Sequence, residues 1–474
     1  MLLLITSAIL LILAFPNFNL SYLAFIGFVP LFFALQNKTP LKAFLISYIC
    51  GFLFYLGTLY WLYHVSVIGL IVLCLYLALY FGIFGYLFSR FTIHDSRFTI
   101  FVAPLLWALL EYAQSNLFTG FGWTSLGYSQ YENLPIIQIA DFSSVYGVSF
   151  VIMLVNVTVW KLISLVAEVR GQKSEVRSQR SEVRGQKKLS SVLCPLSSVA
   201  LILFFVYGYG FFRLQEERQA VDSIKVSVIQ GNIPQEKKWD SGETEYILER
   251  YTRLTKMAAL DEPDLIVWPE TSFPGFLISD RGMTARILAL AKETRTPLLL
   301  GANTEKGLKS FNSAVLISGQ GEILDKYDKI HLVPFGEYVP FSDRFPFLRT
   351  MVFGELGEFT AGKDFKVFDL GPKFAALICF EDVFPELARR FVKNGAELLI
   401  VITNDAWYGK SGASYQHAAC SVFRAIENRV PVIRCANTGY SCFIDSMGRI
   451  YDSVEKLGTH LFITAHKTSN IRLQ

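Results

Sequence analysis

Charged residues are scarce in the first third of this 474-residue chain. Between Met1 and Val166 only nine residues are charged, five basic and four acidic, whereas the remaining 308 residues carry the other 75. A water-soluble domain of this size would need many more charges on its surface, so we expect the first third to lie in lipid. Since 52% of all residues are hydrophobic, a disordered chain is excluded as well.

Cysteine pairs with the spacing of a metal or redox site are also missing. The seven cysteines lie at positions 50, 74, 194, 379, 420, 435 and 442, without a C-x-x-C pair. A net charge of +4 over the whole length gives no basic footprint for a nucleic acid. We therefore expect no metal, no cofactor and no nucleic-acid partner. Because the number of cysteines is odd, at least one thiol stays outside any intramolecular disulfide.

Apolar runs recur along the first 213 residues, and most approach the length of about 20 residues that crosses a bilayer. The first run lacks a basic start and a cleavage site of small residues, so we interpret it as a retained helix rather than a signal peptide. The pattern predicts an α-helical transmembrane bundle of about seven helices over residues 1–213. The runs are Leu2–Phe15, Leu20–Leu35, Ala43–Tyr63, Val65–Phe88, Thr99–Glu111, Val145–Leu165 and Ser191–Phe212.

Basic residues alternate between the loops of this bundle. Lys38 and Lys42, then Arg90 and Arg97, lie in alternate loops, and a dense basic segment at 167–190 follows the sixth run. That segment repeats a seven-residue unit three times without an apolar stripe, so we expect a solvated cytoplasmic linker rather than a coiled coil. The positive-inside rule then places everything after the seventh run outside the cytoplasm.

The loop Tyr112–Ser144 is long, carries no basic residue and is rich in aromatics and glycines, among them Trp123 and Tyr128. Tryptophan and tyrosine favour the headgroup level of a bilayer, which predicts interfacial anchoring. A long loop at the mouth of a helix bundle is also a place where an amphiphilic substrate would be held. The residues alone leave both interpretations open.

From Ser223 onward, short apolar strands alternate with amphipathic helices, which predicts an α/β domain over residues 214–474 with two sheets and outer helices. Gly319–Gly321 predicts a hairpin turn. The predicted strands are Lys225–Gln230, Asp264–Trp268, Leu298–Gly301, Ala314–Ser318, Ala375–Cys379, Leu398–Thr403, Val432–Cys435 and Cys442–Asp445. The predicted helices are Thr244–Leu260, Thr284–Thr294, Pro385–Asn394 and Gln416–Arg429.

Three residues in this domain are candidates for catalysis. Cys379 ends a predicted strand just before a helix, where a thiolate can be stabilised, although a lone cysteine is more often a structural core residue. Glu270 follows a buried strand, and a partly desolvated carboxylate there can act as a general base or simply mark a helix entry. Lys329 lies in a loop, where it could stabilise an oxyanion or be an ordinary surface lysine.

The segments Leu265–Glu270, Lys329–Pro340 and Ile378–Asp382 together resemble the carbon–nitrogen hydrolase (nitrilase) superfamily. Asn404–Trp407 and Arg424–Gly439 are similar to its later strands. With the helix bundle, the whole chain resembles the bacterial apolipoprotein N-acyltransferases. The resemblance implies an αββα sandwich of nitrilase type with a Glu–Lys–Cys triad: Glu270 as general base, Lys329 as oxyanion stabiliser and Cys379 as nucleophile.

Further site residues follow from the same resemblance. Glu337 would support the lysine and the thiol, while Glu381 and Trp239 would line the acyl and headgroup site, and Phe380 and Asn404 would support it. The implied reaction moves an acyl chain from a phospholipid, through a cysteine thioester, to the α-amino group of the N-terminal diacylglyceryl-cysteine of an apolipoprotein. The implied location is the bacterial inner membrane, with the catalytic domain on its periplasmic side.

Two other functions compete with this one. A membrane-tethered amidase of the same superfamily would use water as the acceptor. A seven-span transporter or receptor would carry ionisable residues inside its spans, and these runs have almost none. One segment departs from the family pattern: the family usually closes with a further membrane helix, whereas Leu461–Gln474 is too short and too polar to cross a bilayer.

Overall fold

The computed structural model describes residues 1–94, 99–172, 179–216, 222–238, 240–342, 344–345, 359–454 and 465–473. The chain divides into two compact units. The first unit contains Met1–Glu216 together with Lys410–Gln416, and the second contains Glu217–Gly409 together with His417–Gln474.

The first unit is helical, and each of the seven apolar runs forms helix over much of its length. The second run begins as a 3₁₀ turn, Ser21–Phe25, before its α-helix. Ser144 has a positive φ of 55°, which interrupts the helix Ala140–Gln172 near its start. The predicted apolar run Val145–Leu165 begins at the next residue. The helices are α1 (Leu2–Ala14), α2 (Val29–Leu35), α3 (Pro40–Thr58), α4 (Val67–His94), α5 (Thr99–Asn116), α6 (Leu134–Ile137), α7 (Ala140–Gln172) and α8 (Gln179–Gln215).

Four helices in the described part of the chain are long and apolar enough to cross a membrane. The helices of the first two runs are shorter, and α5 is not among the four. The expected number of seven spans therefore stays a prediction. Part of the predicted basic linker, residues 173–178, lies outside the described residues. The four segments are Pro40–Thr58, Val67–Phe91, Ala140–Ala167 and Ser197–Gln215.

Aromatic rings fill the centre of the first unit. Trp107 packs against Phe28 and Phe81 with ring centroids 4.7 and 4.8 Å apart. In the glycine-rich loop, Trp123 and Tyr128 are buried at 1% and 2% exposure. Because protein encloses both rings, they are poorly placed to act as exposed interfacial anchors.

The second unit contains two six-stranded sheets within the described residues, in the orders β12-β1-β2-β3-β4-β5 and β11-β10-β9-β8-β7-β6. The pairs β1/β2, β2/β3, β7/β8 and β8/β9 are parallel. The strands are β1 (Asp222–Gln230), β2 (Leu265–Val267), β3 (Leu298–Lys306), β4 (Lys309–Ile317), β5 (Ile323–Asp328), β6 (Phe368–Asp369), β7 (Lys373–Ile378), β8 (Leu398–Thr403), β9 (Val432–Ala436), β10 (Cys442–Ile444), β11 (Ile450–Ser453) and β12 (Ala465–Leu473).

The two sheets pack face to face. The thiol of Cys435, on β9, reaches the carbonyl oxygens of Ile229 and Val267 in the other sheet at 3.4 and 3.3 Å. Every residue of β8 is buried, which explains its continuous apolar sequence. The predicted α/β fold with two sheets is confirmed.

Amphipathic helices cover the sheets and match the predicted segments to within a few residues. The side chain of Asp280 accepts a hydrogen bond from the Met283 amide and caps α11, which starts three residues earlier than predicted. The helices are α9 (Gln235–Lys238), α10 (Thr244–Ala259), α11 (Arg281–Thr294), α12 (Pro385–Lys393) and α13 (Ala413–Asn428).

Several strands were not predicted. β5 pairs with β4 across the predicted turn at Gly319–Gly321, but its exposed and half-buried residues give it little apolar signal. β12 pairs antiparallel with β1 along nine residues, within the segment that is too polar to cross a bilayer. Both strands have the mixed polarity typical of sheet edges.

Candidate active site

Cys379 lies at the carboxyl end of β7 and opens a 3₁₀ helix, Cys379–Val383. Its φ of 52° puts the residue in the left-handed region, which is uncommon for a residue with a side chain. Strain of this kind is frequent where a reactive side chain must be presented at a fixed angle. Only 5% of the residue is exposed.

Glu270 follows β2 and is 6% exposed. Its Oε1 accepts a hydrogen bond of 2.8 Å from Nδ2 of Asn312, on β4. The turn that carries Glu270 lies directly against Gly301 of β3, where an added Cβ would come within 2.7 Å of the Pro269 and Glu270 backbone. A glycine at position 301 therefore lets the Glu270 turn pack against the sheet.

Lys329 follows β5 and is 1% exposed, so it is not a surface lysine. Its Nζ lies 2.9 Å from Oε2 of Glu337 and 3.5 Å from Oε1 of Glu270. Burial by itself would lower the pKa of Lys329, but the negative charges of Glu337 and Glu270 outweigh burial and raise it. The ammonium group therefore stays charged and can stabilise a developing oxyanion.

Glu337 is fixed by donors from three directions. Its Oε2 accepts the Val333 amide at 2.8 Å, and its Oε1 accepts Nδ2 of Asn312 at 2.9 Å and Nζ of Lys329 at 3.0 Å. One amide nitrogen of Asn312 thus bridges Glu270 and Glu337. Asn312 was not predicted, because it lies in the polar first half of β4, where no local pattern distinguishes it from its neighbours.

The Cys379 thiol interacts electrostatically with Glu270 and Lys329, the two other residues of the expected triad. Burial and the negative charge of Glu270 raise its pKa, while the positive charge of Lys329 lowers it. The raised pKa keeps the sulfur protonated at rest, so a base must remove the proton when the thiol reacts. Glu270 and Lys329 are the two charged groups with the appropriate signs for proton removal and oxyanion stabilisation.

Glu381 is fully buried, and both of its carboxylate oxygens accept hydrogen bonds. Oε1 accepts the Tyr327 hydroxyl at 2.7 Å and the Ile330 amide at 2.8 Å, while Oε2 accepts the Ile378 amide at 2.8 Å. These contacts connect the loop that follows β5, which carries Lys329 and Ile330, to the Cys379 turn, the 3₁₀ helix Cys379–Val383. The expected role of Glu381 in lining the acyl and headgroup site stays a prediction.

The remaining expected site residues are Phe380, in the 3₁₀ helix after β7, Asn404, after β8, and Trp239. Phe380 is 6% exposed and packs edge-on against Phe384, with ring centroids 5.1 Å apart. Asn404 follows β8, where its Nδ2 donates to Gln235 at 2.9 Å and its Oδ1 accepts from Asn437 at 2.9 Å. Trp239 lies outside the described residues.

A buried ionic cluster, made of Asp382, Asp405, His417 and Arg434, borders the Cys379 turn and was not predicted. Arg434 lies 2.8 Å from Asp405, and His417 lies 3.0 Å from Asp405 and 2.8 Å from Asp382. Nε2 of His417 is 3.2 Å from the Cys379 carbonyl oxygen. The Arg434 guanidinium and the hydrogen bonds within the cluster offset the burial of its two carboxylates.

Among the described residues, no group of histidine, cysteine, aspartate and glutamate side chains is arranged to hold a metal ion. The charged groups at the site are Glu270, Lys329, Glu337 and the buried Lys238, whose Nζ donates to the Glu270 carbonyl oxygen at 2.9 Å. The arrangement thus offers acid–base and nucleophilic chemistry through side chains.

Two family descriptions match this chain. Residues 7–158 match the apolipoprotein N-acyltransferase N-terminal domain, and residues 225–470 match the carbon-nitrogen hydrolase family. An apolipoprotein N-acyltransferase of Geobacter metallireducens is 41% identical over 467 residues, covering 94% of this chain and 85% of the relative. An apolipoprotein N-acyltransferase 2 of Treponema denticola is 31% identical, covering 95% and 88%.

Solved structures similar to the second unit include an amidase variant of Nesterenkonia AN1 from the nitrilase superfamily. It has 16% identity and a TM-score of 0.40, and the match covers 52% of this chain and 90% of the amidase. The N-acyltransferases of Geobacter metallireducens and Treponema denticola match nearly the whole chain, including both of the regions that match family descriptions. The chain therefore belongs to the apolipoprotein N-acyltransferase family and is an enzyme with a carbon–nitrogen hydrolase domain.

Proposed function

We propose that this enzyme transfers an acyl chain from a phospholipid, through a thioester on Cys379, to the α-amino group of the N-terminal diacylglyceryl-cysteine of apolipoproteins. The observation that carries the proposal is the buried pairing of Lys329 with Glu270 and Glu337 beside a strained cysteine. The names of the relatives and the four helices able to cross a membrane support a lipid donor and a lipoprotein acceptor.

The first half-reaction uses the three triad side chains in turn. The Glu270 carboxylate takes the proton from Cys379, and the thiolate attacks the sn-1 ester carbonyl of the phospholipid. Lys329 stabilises the negative charge that develops on the carbonyl oxygen. When the ester C–O bond breaks, Glu270 returns the proton to the leaving oxygen, and a lysophospholipid departs from the thioester.

The second half-reaction reverses these roles with an amine. The neutral α-amino group of the acceptor attacks the thioester carbonyl, and Glu270 accepts a proton from the nitrogen. The C–S bond then breaks, which leaves an amide and a thiolate that recovers its proton from Glu270. An α-amino group, with a reference pKa near 8, is neutral at physiological pH far more often than a lysine side chain.

Both substrates carry acyl chains that remain in a bilayer, so the chemistry belongs at a membrane surface. The alternation of basic loops supports a catalytic domain on the periplasmic side of the bacterial inner membrane. The alternative with water as acceptor, a membrane-tethered amidase, is not favoured by the match of residues 7–158 or by the whole-chain relatives.

The decisive experiment follows the Cys379 adduct by mass spectrometry in phospholipid proteoliposomes. We expect the intact protein to gain one acyl chain, to keep it in buffer and to lose it rapidly when a diacylated peptide with a free N-terminal amine is added. The same peptide with an acetylated amine is the control and should leave the adduct in place. Fast decay to free fatty acid in buffer alone would make the enzyme a hydrolase and refute the transferase proposal.

A further inference from the structure

The parallel pairing of β7 with β8 brings Thr403 beside Cys379. Ile378, the last residue of β7, pairs with Ile402, so Cys379 directly follows β7 and Thr403 ends β8 at the same edge of the sheet. Thr403 is fully buried, like the thiol next to it. The sequence alone gives no reason to select this threonine among the apolar residues of its strand.

The hydroxyl of Thr403 has two partners and only one proton to donate. It donates a hydrogen bond of 3.1 Å to Oδ1 of Asp405. It is also a side-chain hydrogen-bond partner of Cys379. This hydrogen bond lowers the pKa of the thiol, against the larger effect of burial, which raises it. Because a hydroxyl proton rotates about its C–O bond, it can point at either partner in turn.

We propose that Thr403 is a further catalytic residue, whose hydroxyl turns from Asp405 to Sγ of Cys379 and donates a hydrogen bond to the thiolate. The hydroxyl donates this hydrogen bond when the Cys379 thiolate forms before acyl transfer. It donates the bond again when the thiolate is released from the thioester. No proton is transferred from Thr403, because Glu270 accepts and returns the thiol proton. The inference rests on the proposed role of Cys379 as nucleophile.

Asp405 can release this hydroxyl without losing its own stabilisation. Its Oδ2 still accepts from Arg434 at 2.8 Å, and Nδ1 of His417 still lies 3.0 Å from its Oδ1. Burial by itself would raise the pKa of Asp405, but Arg434 and His417 hold it below its ordinary value. The carboxylate therefore stays charged, and Thr403 remains free to turn.

The thiolate needs this donor because its surroundings are unfavourable to negative charge. Burial and the carboxylates of Glu270 and Asp405 oppose its formation, and Lys329 is the main charge that favours it. A neutral hydroxyl adds stabilisation without adding a further charge to a site that already holds the buried lysines Lys329 and Lys238. Hydrogen bonds to charged groups correspond to roughly 10- to 100-fold in an equilibrium or a rate.

The test compares Thr403→Val, which keeps the shape but removes the hydroxyl, with Thr403→Ser, which keeps the hydroxyl. In the full-length protein in detergent, iodoacetamide alkylation of Cys379 is measured against pH by peptide mass spectrometry. We expect Thr403→Val to slow alkylation at pH 7 by roughly 10- to 100-fold and to shift its midpoint to higher pH. Thr403→Ser should stay within about threefold of the parent protein. Profiles of Thr403→Val and the parent that superimpose would overturn the role of Thr403.

Two further readouts separate misfolding and failure of the proposed function from failure of this inference. Cys435 is fully buried, so its alkylation reports unfolding; if it reacts in Thr403→Val, the smaller Thr403→Ala takes its place. Acyl-adduct formation from phosphatidylethanolamine vesicles is measured in parallel and should slow by the same factor as alkylation. A parent protein that forms no adduct refutes the proposed function, while the alkylation profiles still decide the role of Thr403.

Discussion

Nζ of Lys329 lies 2.9 Å from Oε2 of Glu337, and this buried ion pair sets the charge that the proposed reaction uses. Without Glu337, the lysine would have Glu270 as its closest remaining carboxylate, at 3.5 Å. A carboxylate that pairs tightly with an ammonium group accepts protons less readily. Glu337 therefore keeps Lys329 charged while leaving Glu270 available as a base.

Replacing Glu337 by glutamine tests this division of labour. We expect Glu337→Gln to lower kcat/KM for acyl transfer by about 10- to 100-fold, since a hydrogen bond to a charged group is lost and Glu270 becomes a weaker base. Rates of adduct formation from phospholipid vesicles provide the measurement. Glu322→Gln, at an exposed position, is the matched control and should be without effect.

Each triad side chain should be indispensable for its own reason. Cys379→Ala should abolish the acyl-enzyme, whereas Glu270→Gln and Lys329→Met should slow acylation by roughly 10²–10⁴-fold, the usual contribution of a general base or an oxyanion donor. Single-turnover acylation followed by intact mass measures all three variants.

Matched substitutions nearby serve as controls for the triad. Cys420→Ala and Cys435→Ala remove buried thiols that have no role in the proposed mechanism, and Lys326→Met removes a partly exposed cation from β5. All three should keep activity within a few-fold of the parent. Wild-type turnover in a triad variant would remove that residue from the proposed mechanism.

The stability of the enzyme should depend on pH through Lys238. Burial lowers the pKa of Lys238 from 10.5 to about 8, so between these two values the unfolded chain binds a proton that the folded protein has released. Stability from this group therefore rises as pH increases from 8 to 10.5. Below pH 8 the folded state carries a buried charge at a cost of about 3 kcal/mol.

Removal of the Lys238 charge should change this pH dependence. We expect Lys238→Met to be more stable relative to the parent at pH 7 than at pH 10, as measured by the thermal unfolding midpoint in detergent at both values. Lys256→Met, whose side chain is 47% exposed, should show no such difference. An equal offset at both pH values would contradict the depressed pKa of Lys238.

The topology proposed from the basic loops can be tested with protease on spheroplasts. Because the dense basic segment is expected in the cytoplasm, the repeat at Glu168–Lys188 should be spared, while the domain after Ser223 should be cut. Peptide mapping of the fragments gives the answer. Cleavage in the repeat and protection of the domain would place the active site on the cytoplasmic side.

Local sequence was sufficient to predict much of the α/β domain. The fully buried strand β8 was predicted at its observed bounds, and helix α12 differs by one residue at its end, because a buried strand and an amphipathic helix each leave a pattern within a few neighbours. Edge strands such as β5 and β12 were missed, since half-exposed strands need a paired partner rather than an apolar run. The triad was assigned through family resemblance, as no single residue carried a sufficient signal alone.

The sequence by itself determined where the apolar helical segments and the charged α/β segments lie, because charge density and hydrophobic periodicity are properties of the chain. Only the tertiary structure decided which polar side chains meet. Asn312 bridges Glu270 and Glu337, which are 42 and 25 positions away from it, and Glu381 reaches the Ile330 amide 51 positions away. Such contacts depend on the register of paired strands and on the loops that follow them, and short-range sequence patterns contain neither. For the same reason Thr403 gained a functional interpretation only when β7 and β8 placed it next to Cys379.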